Sequence, residues 1–251
     1  MTTYYTNATP LIVAYGIGVD STAMLVGMQQ RGIRPDLILS ADTGSEKPET
    51  YAYLPIINAW LRKVGFPEVT IVKNARPVSG DKSLYDACSR LSVLPALAYG
   101  QHQCSLVWKR DPQVAFIKRW APAIEAWARG ETVTQCIGYD AGPRDSCRSY
   151  KAEGKATAGF TNRFPLIEWG WDRERCVAEI EDAGLPVPVK SACFFCPASK
   201  KTELDWLKEM HPELAAKAVE LEDRAKVRGL RSVKGLGRRW SWGDYFRGDA
   251  K

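Results

Sequence analysis

Apolar positions along the first 140 residues fall into two alternating rhythms. Short runs rich in aliphatic and β-branched residues, Leu11–Tyr15, Leu37–Ala41, Val69–Val72 and Val133–Gly138, have the length and composition of buried strands. Between them, Ser21–Arg31, Glu49–Val64 and Asp111–Arg129 are long enough for helices. Strands that alternate with such helices predict a parallel sheet with right-handed crossovers, covered on both faces. The sheet-forming pattern ends near residue 165. Beyond it, Asp172–Ala183 and Lys200–Val227 read as helices. The expected architecture is therefore α/β, a Rossmann-like parallel sheet flanked by helices over residues 1–165, with a smaller helical portion over residues 166–251.

The chain's most informative turn lies directly after the first strand. The strand breaks at Gly16-Ile17-Gly18 and the chain resumes as Ser21-Thr22-Ala23-Met24-Leu25-Val26, with helical character. A strand that turns through glycine into a helix N-terminus makes an anion site. Its small residues let backbone amides approach a phosphate, and the first-turn N–H groups lack intrahelical partners. Ser21 and Thr22 add hydroxyl donors, and Asp20 is placed to cap the helix. The loop lacks the Gly-Lys-Ser/Thr ending of a Walker A motif and the spacing of a dinucleotide fingerprint. About half of such turns are structural only.

The second strand ends in Asp42-Thr43-Gly44, followed by Lys47-Pro48-Glu49-Thr50-Tyr51. Together the two segments resemble the PP-loop ATP pyrophosphatase superfamily, and within it the phosphoadenosine-phosphosulfate (PAPS) reductase-like family. That family carries a Ser-Gly-Gly-x-Asp-Ser loop and an Asp-Thr-Gly…Pro-Glu-Thr signature. Here Gly16 stands where the commonest form has serine, and Ile17 where it has the first glycine. Ile137-Gly138-Tyr139-Asp140-Ala141-Gly142-Pro143-Arg144 is similar to a further segment of the family, as is Phe164-Pro165-Leu166-Ile167-Glu168-Trp169. The resemblance spans roughly residues 10 to 225. It implies an adenine nucleotide alpha hydrolase-like fold. Nucleotide contacts would come from Tyr15, Gly16, Ile17, Gly18, Val19, Asp20, Ser21 and Thr22, and from Asp42, Thr43 and Gly44, all beyond strand ends at one crevice. Asp20, Lys109 and Arg144 are the candidate catalytic residues, the last two as anion stabilisers.

Seven cysteines, an odd number in a chain of 251 residues, point to reduced thiols or metal ligands rather than a disulfide framework. Cys193-Phe194-Phe195-Cys196 is a CxxC, whose spacing suits zinc, an iron–sulfur cluster or a redox dithiol. It follows a proline-bounded loop, Gly184–Pro188, rather than opening a helix after a strand, which weakens the redox reading. Cys104, in Gln103-Cys104-Ser105-Leu106-Val107-Trp108-Lys109, resembles the Cys-Thr-x-x-x-Lys segment of the family. The resemblance implies a [4Fe-4S] cluster on Cys104, Cys193 and Cys196 with one open position, zinc being the alternative. Candidate fourth ligands are His102, Cys147, Cys88 and Asp205. Cys88, Cys136 and Cys176 fall on apolar or helical patterns and read as core thiols.

Composition narrows the remaining classes. Apolar content of 45% with 25% charged residues is ordinary for a globular protein, and no apolar run reaches the roughly 18 residues of a membrane span. Met1–Tyr5 lacks the features of a secretory signal, so a cytoplasmic location is expected. Net charge is +6. From Arg224 to Arg239 there are seven basic residues and no acidic one, followed by Trp240, Trp242, Tyr245 and Phe246. Basic residues beside aromatics suit a nucleic acid backbone with stacked bases. Gly229, Gly235 and Gly237 suggest that this segment is mobile.

These features imply an ATP-dependent sulfur transferase using ATP and Mg²⁺. It would adenylate a nucleic acid base or nucleotide and deliver sulfur, from an undefined donor, through the iron–sulfur cluster. Two other readings stand beside it. One is sulfonucleotide reduction, whose enzymes carry a further nucleophilic cysteine on a Glu-Cys-Gly tail; the last cysteine here is Cys196. It would need an electron donor. The other is a zinc-stabilised nucleotide or nucleic-acid binding module without chemistry.

Overall fold

The computed structural model describes residues 9–74, 80–153 and 158–249. Met1–Tyr5, read above for a leader, lie outside them. The elements run β1 (Leu11–Ala14), α1 (Val19–Gln30), β2 (Leu37–Asp42), α2 (Pro48–Val64), β3 (Val69–Lys73), α3 (Leu84–Leu91) and a 3₁₀ turn at Ala96–Tyr99. Next come a single turn α4 (Gln103–Ser105), a π-helical stretch Leu106–Arg110, α5 (Asp111–Ile117), α6 (Ala121–Ala128), β4 (Val133–Ile137), α7 (Pro143–Glu153) and β5 (Phe160–Arg163). The chain closes with α8 (Pro165–Glu168), α9 (Arg173–Asp182), α10 (Lys201–Met210), α11 (Pro212–Arg228) and α12 (Trp242–Arg247).

The five strands form one sheet in the order β3-β2-β1-β4-β5, and β1 pairs in parallel with both β2 and β4. Strand order therefore reverses between β1 and β4, and in open parallel sheets ligands bind beyond the carboxyl ends of strands at such a point. Side chains alternate across the sheet as a period of two requires. Leu11, Val13 and Tyr15 meet Ile38 and α1 on one face, whereas Ile12, Leu37 and Leu39 meet Ile117 and Ala123 on the other.

Contacts divide the chain into two units. The first comprises Met1–Ala41, Pro48–Val72 and Gln113–Ser191; the second comprises Asp42–Lys47, Lys73–Pro112 and Ala192–Lys251. The boundary expected at residue 165 does not coincide with this division. α1 is buried from Val19 to Met28 apart from Asp20, so it needs cover on nearly every side. Helix α9 supplies part of that cover through Cys176 and Ile180, which keeps residues 166–191 with the sheet. The second unit is helical, with Phe195, Leu204, Leu207, Leu221, Leu236 and Trp242 at its centre.

Two helices expected to be continuous are each broken by a proline. Asp111–Arg129 splits into α5 and α6, because Pro122 in the first turn of α6 cannot extend the preceding helix. Lys200–Val227 splits at His211, the residue before Pro212, which the proline ring forces out of helical geometry. The polar strand β5, Phe-Thr-Asn-Arg, escaped the apolar pattern because it lies at the sheet edge.

Candidate nucleotide and thiol sites

In the first unit, β1 delivers the chain to the switch point. Tyr15 donates its N–H to the Leu39 carbonyl at 2.9 Å, and its buried hydroxyl lies 3.1 Å from Thr22 Oγ1. Burial pushes the Tyr15 phenol well above its ordinary range, so it is a neutral clamp between strand and helix. Ile17 has φ +56°, the left-handed region that a β-branched residue strongly resists. Ile17 is buried in that conformation. Such strain costs on the order of 1–3 kcal/mol and persists only where the surroundings enforce it.

Gly18, not Asp20, caps α1, which begins at Val19 rather than Ser21. The Ser21 hydroxyl closes the turn. It accepts from the N–H groups of Gly16 and Gly18, each at 3.3 Å, and donates to the Gly18 carbonyl at 3.1 Å. Asp20 faces a different set of groups. Its Oδ1 accepts from Arg173 at 2.8 Å, and ligand oxygens of Asp20, Asp140 and Asp145 all lie within 4.8 Å of one another. Burial raises the Asp20 pKa above 3.8 and outweighs the pull of Arg173, with Asp140 and Asp145 adding repulsion. Three convergent carboxylates offer the hard oxygen donors that a magnesium ion prefers. Asp140 and Asp145 were not among the expected site residues. Both lie in the segment after β4 that also carries Arg144. Arg144 is exposed in the first turn of α7 and has no hydrogen bond or ion pair among the described residues.

Gly138 explains how β4 and α1 come together. A Cβ there would lie 2.9 Å from the Ser21 nitrogen, 3.0 Å from its Cα and 3.1 Å from the Asp20 carbonyl carbon, all backbone atoms. Gly138→Ala is therefore expected to cost about 1–3 kcal/mol of stability, the range for overpacking a tight contact. A thermal melt checks this; an unchanged midpoint would contradict the close approach.

In the second unit, Asp42 ends β2. Its Oδ2 pairs with Lys73 at 2.9 Å and its Oδ1 accepts from the Gly44 N–H at 2.7 Å. Gly44 has φ +67°, and a Cβ would lie 2.8–3.1 Å from Ser83 and the Lys82 carbonyl, so this position requires glycine. Thr43 is buried, with Oγ1 3.2 Å from Cys193 Sγ. Backbone bonding brings the two segments together: Glu46 and Cys193 form an antiparallel bridge, and the Phe194 N–H donates to the Ser45 carbonyl at 2.9 Å.

Lys109 lies on the π-helical stretch, a local form found often at functional positions. Its Nζ donates to Glu46 Oε1 at 2.9 Å, and the same oxygen is 4.0 Å from Cys193 Sγ. Burial pulls the lysine pKa down, but the charge of Glu46 and the nearby Cys193 outweighs it and leaves the ammonium firmly protonated. Burial likewise raises the Cys193 thiol, with Glu46 adding to it and Lys109 opposing. Lys109 is thus engaged with a buried carboxylate. Glu46 was missed because it lies between the two motif blocks, where only its charge in an otherwise buried stretch marks it.

Cys104 and Cys196 are half-buried and pack on the apolar cluster that contains Cys193 and Cys88. The CxxC forms a turn, with the Cys196 N–H donating to the Cys193 carbonyl at 3.0 Å, and α10 begins only at Lys201. A single tetrahedral zinc would hold its thiolates about 4 Å apart. Among the described residues, only the Asp20–Asp140–Asp145 group brings three such ligand atoms within 4.8 Å of one another. The three thiols therefore do not form a ready site for one ion. A cluster, whose thiolates bind different irons, tolerates wider spacing. Of the suggested fourth ligands, Asp205 accepts from the Tyr245 hydroxyl at 2.9 Å, His102 is exposed, and Cys147 belongs to the first unit. Cys88 is buried, which pushes its thiol up to about 12, with Cys104 contributing.

No protein-family model matches the chain, and no curated protein matches it. Among solved structures it is similar to a phosphoadenylyl-sulfate (PAPS) reductase from Candida auris in complex with phosphate. The TM-score is 0.46 at 15% identity, covering 71% of this chain and 75% of that one. It is also similar to the U34-tRNA thiolase NcsA from Methanococcus maripaludis, which holds a [4Fe-4S] cluster. There the TM-score is 0.43 at 13% identity, covering 91% of this chain and 74% of that one. No helix among the described residues is long and apolar enough to cross a membrane.

Proposed function

We propose that the chain is an ATP-dependent sulfur transferase that adenylates an oxygen of a nucleic acid base or nucleotide and replaces that oxygen with sulfur. The observation that carries this reading is the convergence of Asp20, Asp140 and Asp145 at the start of α1, directly after Gly16-Ile17-Gly18. ATP would lie with its pyrophosphate over Gly16–Thr22, where first-turn N–H groups and the helix dipole favour negative charge. Asp20, Asp140 and Asp145 would hold Mg²⁺, which when bound neutralises charge on the phosphates. Exposed Arg144 supplies an unpaired cation for an anionic substrate group.

The chemistry balances without a redox step. An acceptor carbonyl oxygen attacks the α-phosphorus and pyrophosphate leaves. Hydrosulfide then attacks the acceptor carbon, and AMP departs with the original oxygen. The protein's contribution is positioning and charge neutralisation. Cys104, Cys193 and Cys196 would hold an iron–sulfur cluster, which when bound supplies an iron position for sulfur. Around it, Thr43 and Glu46 fix the Cys193 side chain, and Lys109 balances the Glu46 charge. In this reading Lys109 positions the thiols through Glu46.

Metal content tests the thiol half of this reading. Protein purified without oxygen is expected to carry about four irons and matching sulfide per chain. One zinc and no iron would remove the sulfur-carrier step and favour a binding module or another adenylation chemistry.

A further inference from the structure

The basic C-terminal run divides into two groups with different partners. Arg224 donates to Ser89 and Glu220, Lys226 lies between Glu222 and Asp223 and donates to Ser241, and Arg228 donates to the Leu91 carbonyl. These three cations hold the second unit together. Arg231, Lys234, Arg238 and Arg239 are exposed and have no anionic partner among the described residues.

The four unpartnered cations sit on a built turn. Gly235 and Arg238 form an antiparallel bridge, closed by the Arg238 N–H donating to the Gly235 carbonyl at 2.9 Å and the Lys234 N–H to the Arg238 carbonyl at 2.6 Å. Leu236, at the tip, is 0% exposed and pins the turn into the core. Two of the three glycines expected to make this segment mobile, Gly235 and Gly237, serve close packing instead, whereas a Cβ on Gly229 would meet nothing within 4 Å. A Cβ on Gly235 would lie 2.1 Å from Glu222 Oε1, and one on Gly237 would lie 2.4 Å from the Trp240 ring. Arg238 is held at φ +65°. Lys201 adds a cation beside the turn, its Nζ 5.7 Å from the Trp240 ring centre and 5.1 Å from that of Tyr245. It opens α10, where the helix dipole disfavours positive charge.

We propose that Arg231, Lys234, Arg238 and Arg239, displayed on this fixed turn beside Trp240, dock the phosphodiester backbone of a nucleic acid. The inference deepens the reading above by naming the acceptor class and the surface that holds it. Cations without internal partners gain the most from phosphates, and a fixed turn loses little conformational freedom on binding. The half-buried Trp240 offers a ring on which an unpaired base can stack.

The test compares the wild-type chain with the quadruple variant R231Q/K234Q/R238Q/R239Q on a 30-nucleotide single-stranded RNA and the DNA of the same sequence, across a salt series. Four single-strand phosphate contacts correspond to a log–log salt slope about 3 units steeper. The variant is expected to lose that slope and about a hundredfold or more in affinity near 0.1 M salt. Its melting midpoint should stay at the wild-type value, because the four side chains have no ion pair among the described residues. A Lys63→Gln/Lys118→Gln control should keep the wild-type slope. Preference between RNA and DNA identifies the strand. Equal binding by the quadruple variant overturns the proposal, and so does displacement by poly-L-glutamate as effective as by nucleic acid, which would mark an acidic protein as partner. ATP cleavage by the quadruple variant, read in parallel without acceptor, separates this failure from failure of the adenylation reading.

Discussion

Cys193→Ala is expected to abolish sulfur transfer while leaving ATP cleavage within about twofold of wild type, as for substitutions that share no partners. The thiol's neighbours Thr43 and Glu46 belong to the second unit, as does the segment that bridges Glu46 to Cys193. The glycine turn and the three carboxylates belong to the first. Cys193→Ser is the sharper variant, since its hydroxyl can keep the Thr43 hydrogen bond and nearly the same volume but is a poor ligand for iron. Iron content and incorporation of labelled sulfide into nucleic acid are the readouts. Retention of both by the serine variant would remove Cys193 from the proposed chemistry.

Asp20→Asn is expected to lower ATP turnover by about 10²–10³-fold, the range for losing one preorganised charge-stabilising group. Folding should respond in the opposite sense. The folded-state pKa of Asp20 is raised above 3.8, so the folded chain binds this proton more tightly than the unfolded one does. Stability from this group is present at low pH and is lost as pH rises from 3.8 through the folded pKa, leaving a buried ionised carboxylate at neutral pH that opposes folding. Asparagine removes that charge along with the Arg173 pair, so without magnesium at pH 7 the variant should melt at or above the wild-type temperature. Magnesium should then raise the wild-type midpoint and leave the variant's unchanged. A variant that unfolds early would show that Asp20 matters to the fold rather than to nucleotide chemistry.

The parts of the fold that were legible were those whose burial follows from local pattern. Leu11–Tyr15, Leu37–Ala41 and Val133–Gly138 carry enough apolar and β-branched residues to fix the sheet centre, and the glycines after the first of them fix the turn into α1. Residues brought together by tertiary approach were not legible. Asp140 and Asp145 meet Asp20 only because Gly138 lets β4 run against the start of α1. Glu46 gains its role from a bridge to Cys193, 147 residues away in sequence. The division into two units was hidden for a related reason. Asp42–Lys47 belongs to the second unit although the segments before and after it belong to the first, and neither composition nor length marks such a segment. Gly235 and Gly237 show a further ambiguity, since the same residue type serves freedom in one loop and close packing in another.

Product analysis of the ATP reaction tests the central claim most directly. The anaerobically purified protein would be incubated with ATP labelled at the α- and γ-phosphates, magnesium, sulfide and a pool of small RNAs, and the nucleotide products separated. AMP and pyrophosphate are expected in equal amounts, with sulfur appearing in the RNA. ADP and inorganic phosphate, or no ATP cleavage, would contradict it.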